Sequence, residues 1–255
     1  MDEVRDVLFS GGGVRGVAFA GCLKVLWTEH HIDWGQRCPP LQSVNGCSIG
    51  ALYAFLIALG YTCNEIEDIA RTSRPEHFVN IDFTRIFPGK QLSLDSSECV
   101  KGLLVDWMMK KCPEIDSVGQ ARKVTLRELS DRKKIKLGIY VTHLDSRALE
   151  KAHESNSVLD AVLASMALPP IYPSVTLKTR DGIAAQYADG GLANFFPLLY
   201  EPPGTLGFRL LQKPFSEDQV KQSQQPFLCY LTLALDIAIS GKEEFQWSQL
   251  SAAQQ

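Results

Sequence analysis

Apolar and polar positions alternate along the chain in two periods. Val7 to Phe9 is a short apolar run that stops at glycines, which predicts a buried strand. Apolar or small residues then recur at Val14, Val17, Ala18, Gly21 and Val25, the spacing of one helix face. Leu41 to Val44 predicts a second strand, and Ile49 to Leu59 is apolar nearly all round, as in a helix buried on several sides. Strand, helix, strand, helix predicts a parallel sheet with right-handed crossovers. Further on, four capping boxes predict helix starts: Thr62 with Glu65, Asp95 with Glu98, Thr125 with Glu128, and Ser157 with Asp160. Ile135 to Val141 predicts a strand. Val175 to Lys178 and Ile183 to Tyr187, on either side of Arg180-Asp181-Gly182, predict a hairpin. Residues 73–94 have no clear period and read as a long connection carrying aromatics, either a binding loop or a loop packed over a core edge.

Composition narrows the class. The chain has 255 residues, 45% hydrophobic and 22% charged, as expected of an ordinary globular protein. No Pro/Ser/Gly-rich linker divides it, so residues 1–255 are expected to form a single domain. The sequence ends SAAQQ just after an apolar helix candidate, Leu228 to Ile239, which reads as a truncated C-terminus. A net charge of -3 argues against a nucleic-acid partner. No apolar run reaches the ~18 residues of a membrane span. The start, MDEVRDV, lacks the basic and apolar regions of a signal peptide. The seven cysteines are widely spaced with no CxxC pair, which argues against a disulfide framework or zinc site and for a reducing, cytoplasmic compartment. His30, His31 and Cys38 match no usual metal spacing, and no EF-hand or carboxylate-rich loop appears, so no metal or cofactor is expected.

Two glycine-rich turns carry the candidate chemistry. Gly46-Cys47-Ser48-Ile49-Gly50 follows a predicted strand and opens a predicted helix, the context of a G-x-S-x-G nucleophile elbow. Such a turn needs glycines on both sides and exposes the serine at a helix N-terminus, where negative charge is favoured. Phe9 to Gly16, FSGGGVRG, matches G-x-G-x-x-G at Gly11, Gly13 and Gly16. A dinucleotide site would also need an acidic residue at the end of the second strand, where the chain has Ser43-Val44-Asn45-Gly46 instead. If the first two strands are neighbours, both turns lie on one sheet edge. Backbone N–H groups of Gly12 and Gly13 would then face an acyl carbonyl held at Ser48, with Arg15 adding positive charge. An α/β-hydrolase triad using His143 or His153 fits the residue order but not the topology, since that elbow normally follows several strands. His153 reads as a solvated surface residue and His143 as structural.

Four ordered segments resemble the patatin-like phospholipases, a family of lipid acyl hydrolases. Ser10 to Gly16 is similar to the family's oxyanion loop and Gly46 to Leu52 to its nucleophile elbow. Ala164 to Pro170 resembles its Ser/Ala-rich helix end, and Tyr187 to Pro197 its D-G-G segment. The motif-bearing part spans 7–197; residues 198–255 carry only weak similarity. The resemblance implies a three-layer α/β/α sandwich around a mainly parallel sheet. It implies a Ser48–Asp189 dyad without histidine, an oxyanion hole from Gly11, Gly12, Gly13 and Arg15, elbow support from Gly46 and Gly50, and dyad-loop support from Gly190 and Gly191. Burial of Asp189 after an apolar strand would raise its pKa toward the working pH. The implied activity is calcium-independent cleavage of fatty-acyl esters, of phospholipase A or lysophospholipase type, through an acyl-enzyme. The implied partners are a lipid or phospholipid substrate and transient contact with a membrane surface. The competing expectations are an inactive patatin-fold module that binds lipid or protein, and a nucleotide-binding α/β protein. Trp107, Met108, Met109 and the aromatics of loop 73–94 read mostly as core. Arg132, Lys133, Lys134 and Lys136 read as a solvated hairpin in preference to an anionic-lipid contact.

Overall fold

A computed structural model of the chain describes residues 4–86 and 93–210. The chain divides into two units, Met1–Arg209 and Leu210–Gln255, and every described helix and strand belongs to the first. The helix candidate at 228–239 lies outside the described residues.

Strand β1 (Asp6–Phe9) leads through a 3-10 turn (Gly13–Gly16) into helix α1 (Val17–His30). Strand β2 (Ser43–Cys47) runs into α2 (Ile49–Leu59), followed by α3 (Cys63–Thr72) and the single turn α4 (Pro75–Phe78). Helices α5 (Glu98–Lys111), α6 (Val118–Ala121) and α7 (Leu126–Lys133) precede β3 (Lys136–His143) and the short β4 (Leu149–Lys151). Helix α8 (Val158–Met166), the hairpin β5 (Val175–Lys178) and β6 (Ala184–Asp189), and β7 (Leu206–Phe208) complete the unit.

These strands form one seven-stranded sheet in the order β5-β6-β3-β2-β1-β7, with β4 paired to β3 off that path. Strands β3, β2, β1 and β7 are mutually parallel, as strand–helix alternation predicts; β4 and β6 pair antiparallel with β3, and β5 with β6. The sheet is therefore mixed, and helices flank it in the three-layer α/β/α arrangement. Helix α2 is buried from Gly50 to Leu59 and packs on β2, β3 and α8. Fully burying a side chain such as Phe55 or Leu56 stabilises by roughly 1.5–3 kcal/mol.

Several local expectations shift. Strand β2 begins two residues later than its apolar run, because its paired positions include Asn45 and Gly46. Asn45 is buried, and its amide donates to the Val7 carbonyl (3.3 Å) and to Ser43 Oγ (2.9 Å), so a polar residue is satisfied inside the sheet. Helix α1 forms as its period predicts, yet the periodic stripe faces outward: Val14, Val17 and Val25 are 77%, 60% and 55% exposed. Its core face is Phe19, Ala20 and Leu23, with Phe19 set edge-on against Phe9 and Tyr53. The bulkier set wins the interior because it removes more apolar area from water.

Thr62 and Thr125 form complete capping boxes. Ser157 accepts from the Asp160 N–H, half of its box. The Asp95–Glu98 box does not form: Ser97 occupies the N-cap of α5, and the buried Asp95 carboxylate accepts N–H bonds from Ser97 and Asn80. The described part of loop 73–94 is strapped to the stretch after α8. Leu94 and Asp95 donate to the carbonyls of Pro170 and Ile171, and the Tyr172 hydroxyl donates to that of Phe78. Among the described residues, no helix is long and apolar enough to cross a membrane.

Candidate active site

The parallel register brings the ends of β1 and β2 together, with Phe9 beside Gly46 and Cys47 beside Tyr140 of β3. Ser48 follows at once, between strand and helix, with φ 54° and ψ -124°. A non-glycine residue held there is strained by on the order of 1–3 kcal/mol, and surrounding structure must enforce it. The flanking glycines permit the turn. A Cβ on Gly46 would lie 2.2 Å from the Gly50 carbonyl oxygen, and one on Gly50 would lie 2.3 Å from that of Phe9. The elbow is thus wedged between β1 and the first turn of α2, with Ser48 at that helix's N-cap position.

Across β3, the antiparallel register sets Asp189 beside Val141, one residue past the partner of Cys47. Ser48 Oγ donates to Asp189 Oδ2 at 2.6 Å. The other carboxylate oxygen accepts the Gly191 N–H at 2.7 Å. The Asp189 N–H is held by the Ala167 carbonyl, and its own carbonyl accepts from Thr142 Oγ1. Asp189 is 3% exposed, and burial raises its pKa from 3.8 to about 6 against the lowering effect of the Ser48 and Gly191 hydrogen bonds. Gly190 packs at the same junction: a Cβ there would lie 2.5 Å from the Tyr140 carbonyl oxygen and 2.9 Å from Cys47 Sγ. The neighbouring Cys47 thiol is buried, and desolvation followed by the Asp189 charge pushes its pKa up, so it stays protonated.

The glycine loop lies against this pair. A Cβ on Gly11 would sit 3.4 Å from Ser48 Cβ and 3.1 Å from Phe195 Cβ. Gly11 departs from its expected role as an anion donor, because its N–H is engaged by the Phe195 carbonyl at 2.7 Å. It serves by close approach and ties the loop to the segment after Asp189. The N–H groups of Gly12 and Gly13 have no hydrogen-bond partner among the described residues, and Gly13 has φ 56°. Arg15 follows in the same turn, its N–H donating to the Gly12 carbonyl. Gly16 closes the G-x-G-x-x-G pattern by packing rather than by binding, since a Cβ there would lie 2.3 Å from Ile49 Cγ1.

The sequence, with its family resemblance, pointed to both members of the Ser48–Asp189 pair and the glycines around them. It gave no role to Ser165, whose Oγ accepts the Ser48 N–H at 2.8 Å, nor to Phe195 as the partner of Gly11. The histidines stand elsewhere: His143 Nδ1 accepts from the Ser146 N–H, and His153 Nδ1 pairs with Ser155 Oγ. The basic cluster lies at the far end of the sheet, where Lys136 opens β3 opposite Ser43. There Arg132 pairs with Glu114, and Lys133 Nζ donates to the Lys111 carbonyl. Among the described residues, no three His, Cys, Asp or Glu side chains are grouped to hold a metal ion.

The model of the patatin-like phospholipase family matches residues 7–201. Uncharacterized protein YqhO of Bacillus subtilis is 29% identical over 203 residues, which cover 76% of this chain and 65% of YqhO. Uncharacterized protein R571 of Acanthamoeba polyphaga mimivirus is 31% identical over 67 residues, 26% of this chain and 21% of R571. Among solved structures, VipD from Legionella pneumophila superposes with a TM-score of 0.59 at 16% identity, a likeness of fold alone. The superposition covers 80% of this chain and 49% of VipD. The chain therefore spans 65% of YqhO's length and about half of VipD's.

Proposed function

This chain belongs to the patatin-like phospholipase family, whose members are lipid hydrolases, and from that premise we propose that it cleaves fatty-acyl esters through a Ser48–Asp189 dyad. The observation that carries the reading is the 2.6 Å hydrogen bond from Ser48 Oγ to Asp189 Oδ2, made by a buried carboxylate with a pKa of about 6. A base matched to near-neutral pH takes the serine proton as Oγ attacks the ester carbonyl carbon. The carbonyl oxygen becomes a tetrahedral oxyanion, stabilised by the N–H groups of Gly12 and Gly13 and the positive charge of Arg15. Collapse breaks the ester C–O bond, and protonated Asp189 gives its proton to the leaving alcohol. Water, deprotonated by Asp189, then attacks the acyl-enzyme; the proton returns to Ser48 Oγ and the fatty acid leaves.

The substrate class is a phospholipid or lysophospholipid, met at a membrane surface by a cytoplasmic protein in transient contact with it. The base is Asp189 and the oxyanion is assigned to Gly12, Gly13 and Arg15, so the activity we propose is calcium-independent.

Hydrolysis of a panel of phospholipids, lysophospholipids and acylglycerols tests this reading, with wild type, Ser48→Ala and Asp189→Asn in parallel and EDTA present throughout. Wild type should release fatty acid, and both variants should lose at least ~1000-fold in rate. Fatty-acid release by Ser48→Ala at the wild-type rate would overturn the reading. So would a folded wild type that binds lipid vesicles and turns over nothing on the panel.

A further inference from the structure

Ser165 stands in the last turn of α8 and is fully buried. Its hydroxyl accepts the Ser48 N–H at 2.8 Å and donates to the Tyr140 carbonyl at 2.6 Å. One oxygen thus links the backbone of the elbow to the middle of β3. We propose that Ser165 is a positioning residue, holding Ser48 at the strained backbone angle that keeps its Oγ on Asp189. The inference rests on the reading of Ser48 as nucleophile.

Three observations support this role. The first is need. Ser48 has φ 54°, outside the ordinary regions for a side chain, and a conformation of that kind persists only when its surroundings over-determine it. The flanking glycines permit the angle without enforcing it. The Ser165 hydroxyl acts on the peptide group that sets φ of Ser48, where a restraint is effective.

The second is the rigidity of the anchor. Tyr140 lies between the fully buried Ile139 and Val141. Its phenol donates to Glu201 Oε1 at 2.7 Å, and Lys151 sits 5.1 Å over its ring while pairing with the same Glu201. Its carbonyl is also the atom against which Gly190 packs.

The third is symmetry of purpose. The Ala167 carbonyl, two residues beyond Ser165, accepts the N–H of Asp189 at 3.0 Å. The end of α8 therefore holds the backbone of both dyad members and sets the spacing between them. The same bond commits the Ser48 N–H, and the Phe195 carbonyl commits that of Gly11. The proposed oxyanion donors are thereby narrowed to Gly12 and Gly13.

Steady-state kinetics on a soluble short-chain acyl ester test the inference, with wild type, Ser165→Ala, Ser165→Thr, Ser165→Cys and Ser48→Ala compared below their unfolding temperatures. Ser165 touches no substrate, so Ser165→Ala should lower kcat on the order of 100-fold while KM stays within about twofold. Ser165→Thr keeps the hydroxyl and should recover most of kcat; Ser165→Cys, a weaker donor and acceptor, should fall between.

The pH–rate profile gives a second readout that loss of stability alone would not move. A loosened Ser48 removes a hydrogen bond that lowers the Asp189 pKa, so the midpoint in Ser165→Ala should shift upward. If the alanine variant does not fold, the cysteine variant carries both measurements. A folded Ser165→Ala, or failing that Ser165→Cys, with wild-type kcat and midpoint beside an inactive Ser48→Ala overturns the role of Ser165 alone. An active Ser48→Ala overturns the underlying reading instead.

Discussion

Replacing Asp189 with asparagine should abolish turnover and yet stabilise the protein at alkaline pH. Burial holds the Asp189 carboxyl near 6 when folded, against the ordinary 3.8. A folded-state pKa above the unfolded one means that the folded state binds the proton more tightly. The contribution of this group to stability is fully present below about 3.8 and is lost as pH rises through about 6. The complete loss amounts to about 3 kcal/mol, of which about 1 kcal/mol is already gone at pH 4.5. Asparagine has the same shape. Its oxygen can still accept the Gly191 N–H and its amide can donate to Ser48 Oγ, with no charge to desolvate. Urea unfolding of both proteins at pH 4.5 and pH 8 should therefore show the stability of Asp189→Asn relative to wild type rising by about 2 kcal/mol between the two. Taking the difference between proteins cancels the titrating groups that Asp189 does not touch, and Cys47, whose thiol burial alone already pushes up, stays protonated at both pH values. An offset that is independent of pH, or that falls toward alkaline pH, would refute the buried-carboxylate argument.

The same ionisation should govern turnover: kcat/KM should rise with pH through a midpoint near 6 and then level off, as a full pH–rate profile will show. Ser48→Gly should be inactive but more stable than Ser48→Ala, which loses the same hydroxyl, by about 1 kcal/mol in chemical denaturation, because glycine adopts φ 54° without strain. Gly50→Ala should cost about 3 kcal/mol or more, since its Cβ would meet the carbonyl oxygens of Phe9 and Ser10 at 2.3 and 2.5 Å. Gly119→Ala, with nothing within 4 Å, should be neutral or stabilising in the same chemical denaturation.

The elbow was legible in the sequence because its requirements are local. A short apolar strand, a turn too tight for side chains at Gly46 and Gly50, and an apolar helix all fall within one stretch of chain. Asp189-Gly190-Gly191 by itself reads as a plain turn, and only the family resemblance implied its pairing with Ser48. The hidden features depend on partners far away in sequence. Strand β7 is three residues long and exists because Phe208 stacks on Phe9 beside β1. Strand β4 carries Glu150 and Lys151, and only its pairing with β3 makes it a strand. The helical period of α1 located the helix but not its inner face, which the aromatic contacts of Phe19 decide. Asp95 looked like a cap from its spacing, but its burial beside Asn80 turned it into a loop anchor. The third glycine of G-x-G-x-x-G keeps the close-packing role of that position, but only the fold shows that the residue it meets is Ile49. Ser165 meets Ser48 across 117 positions, and its neighbours in sequence give no sign of that bond.

The proposed function stands on Ser48 being a nucleophile activated by Asp189. Intact-mass analysis and peptide mapping after treatment with a fluorophosphonate probe test it most directly. Wild type should carry a single adduct on the peptide containing Ser48, Ser48→Ala none, and Asp189→Asn should label at least ~1000-fold more slowly. Equal labelling of wild type and Ser48→Ala, or an adduct mapped to another residue, would contradict it.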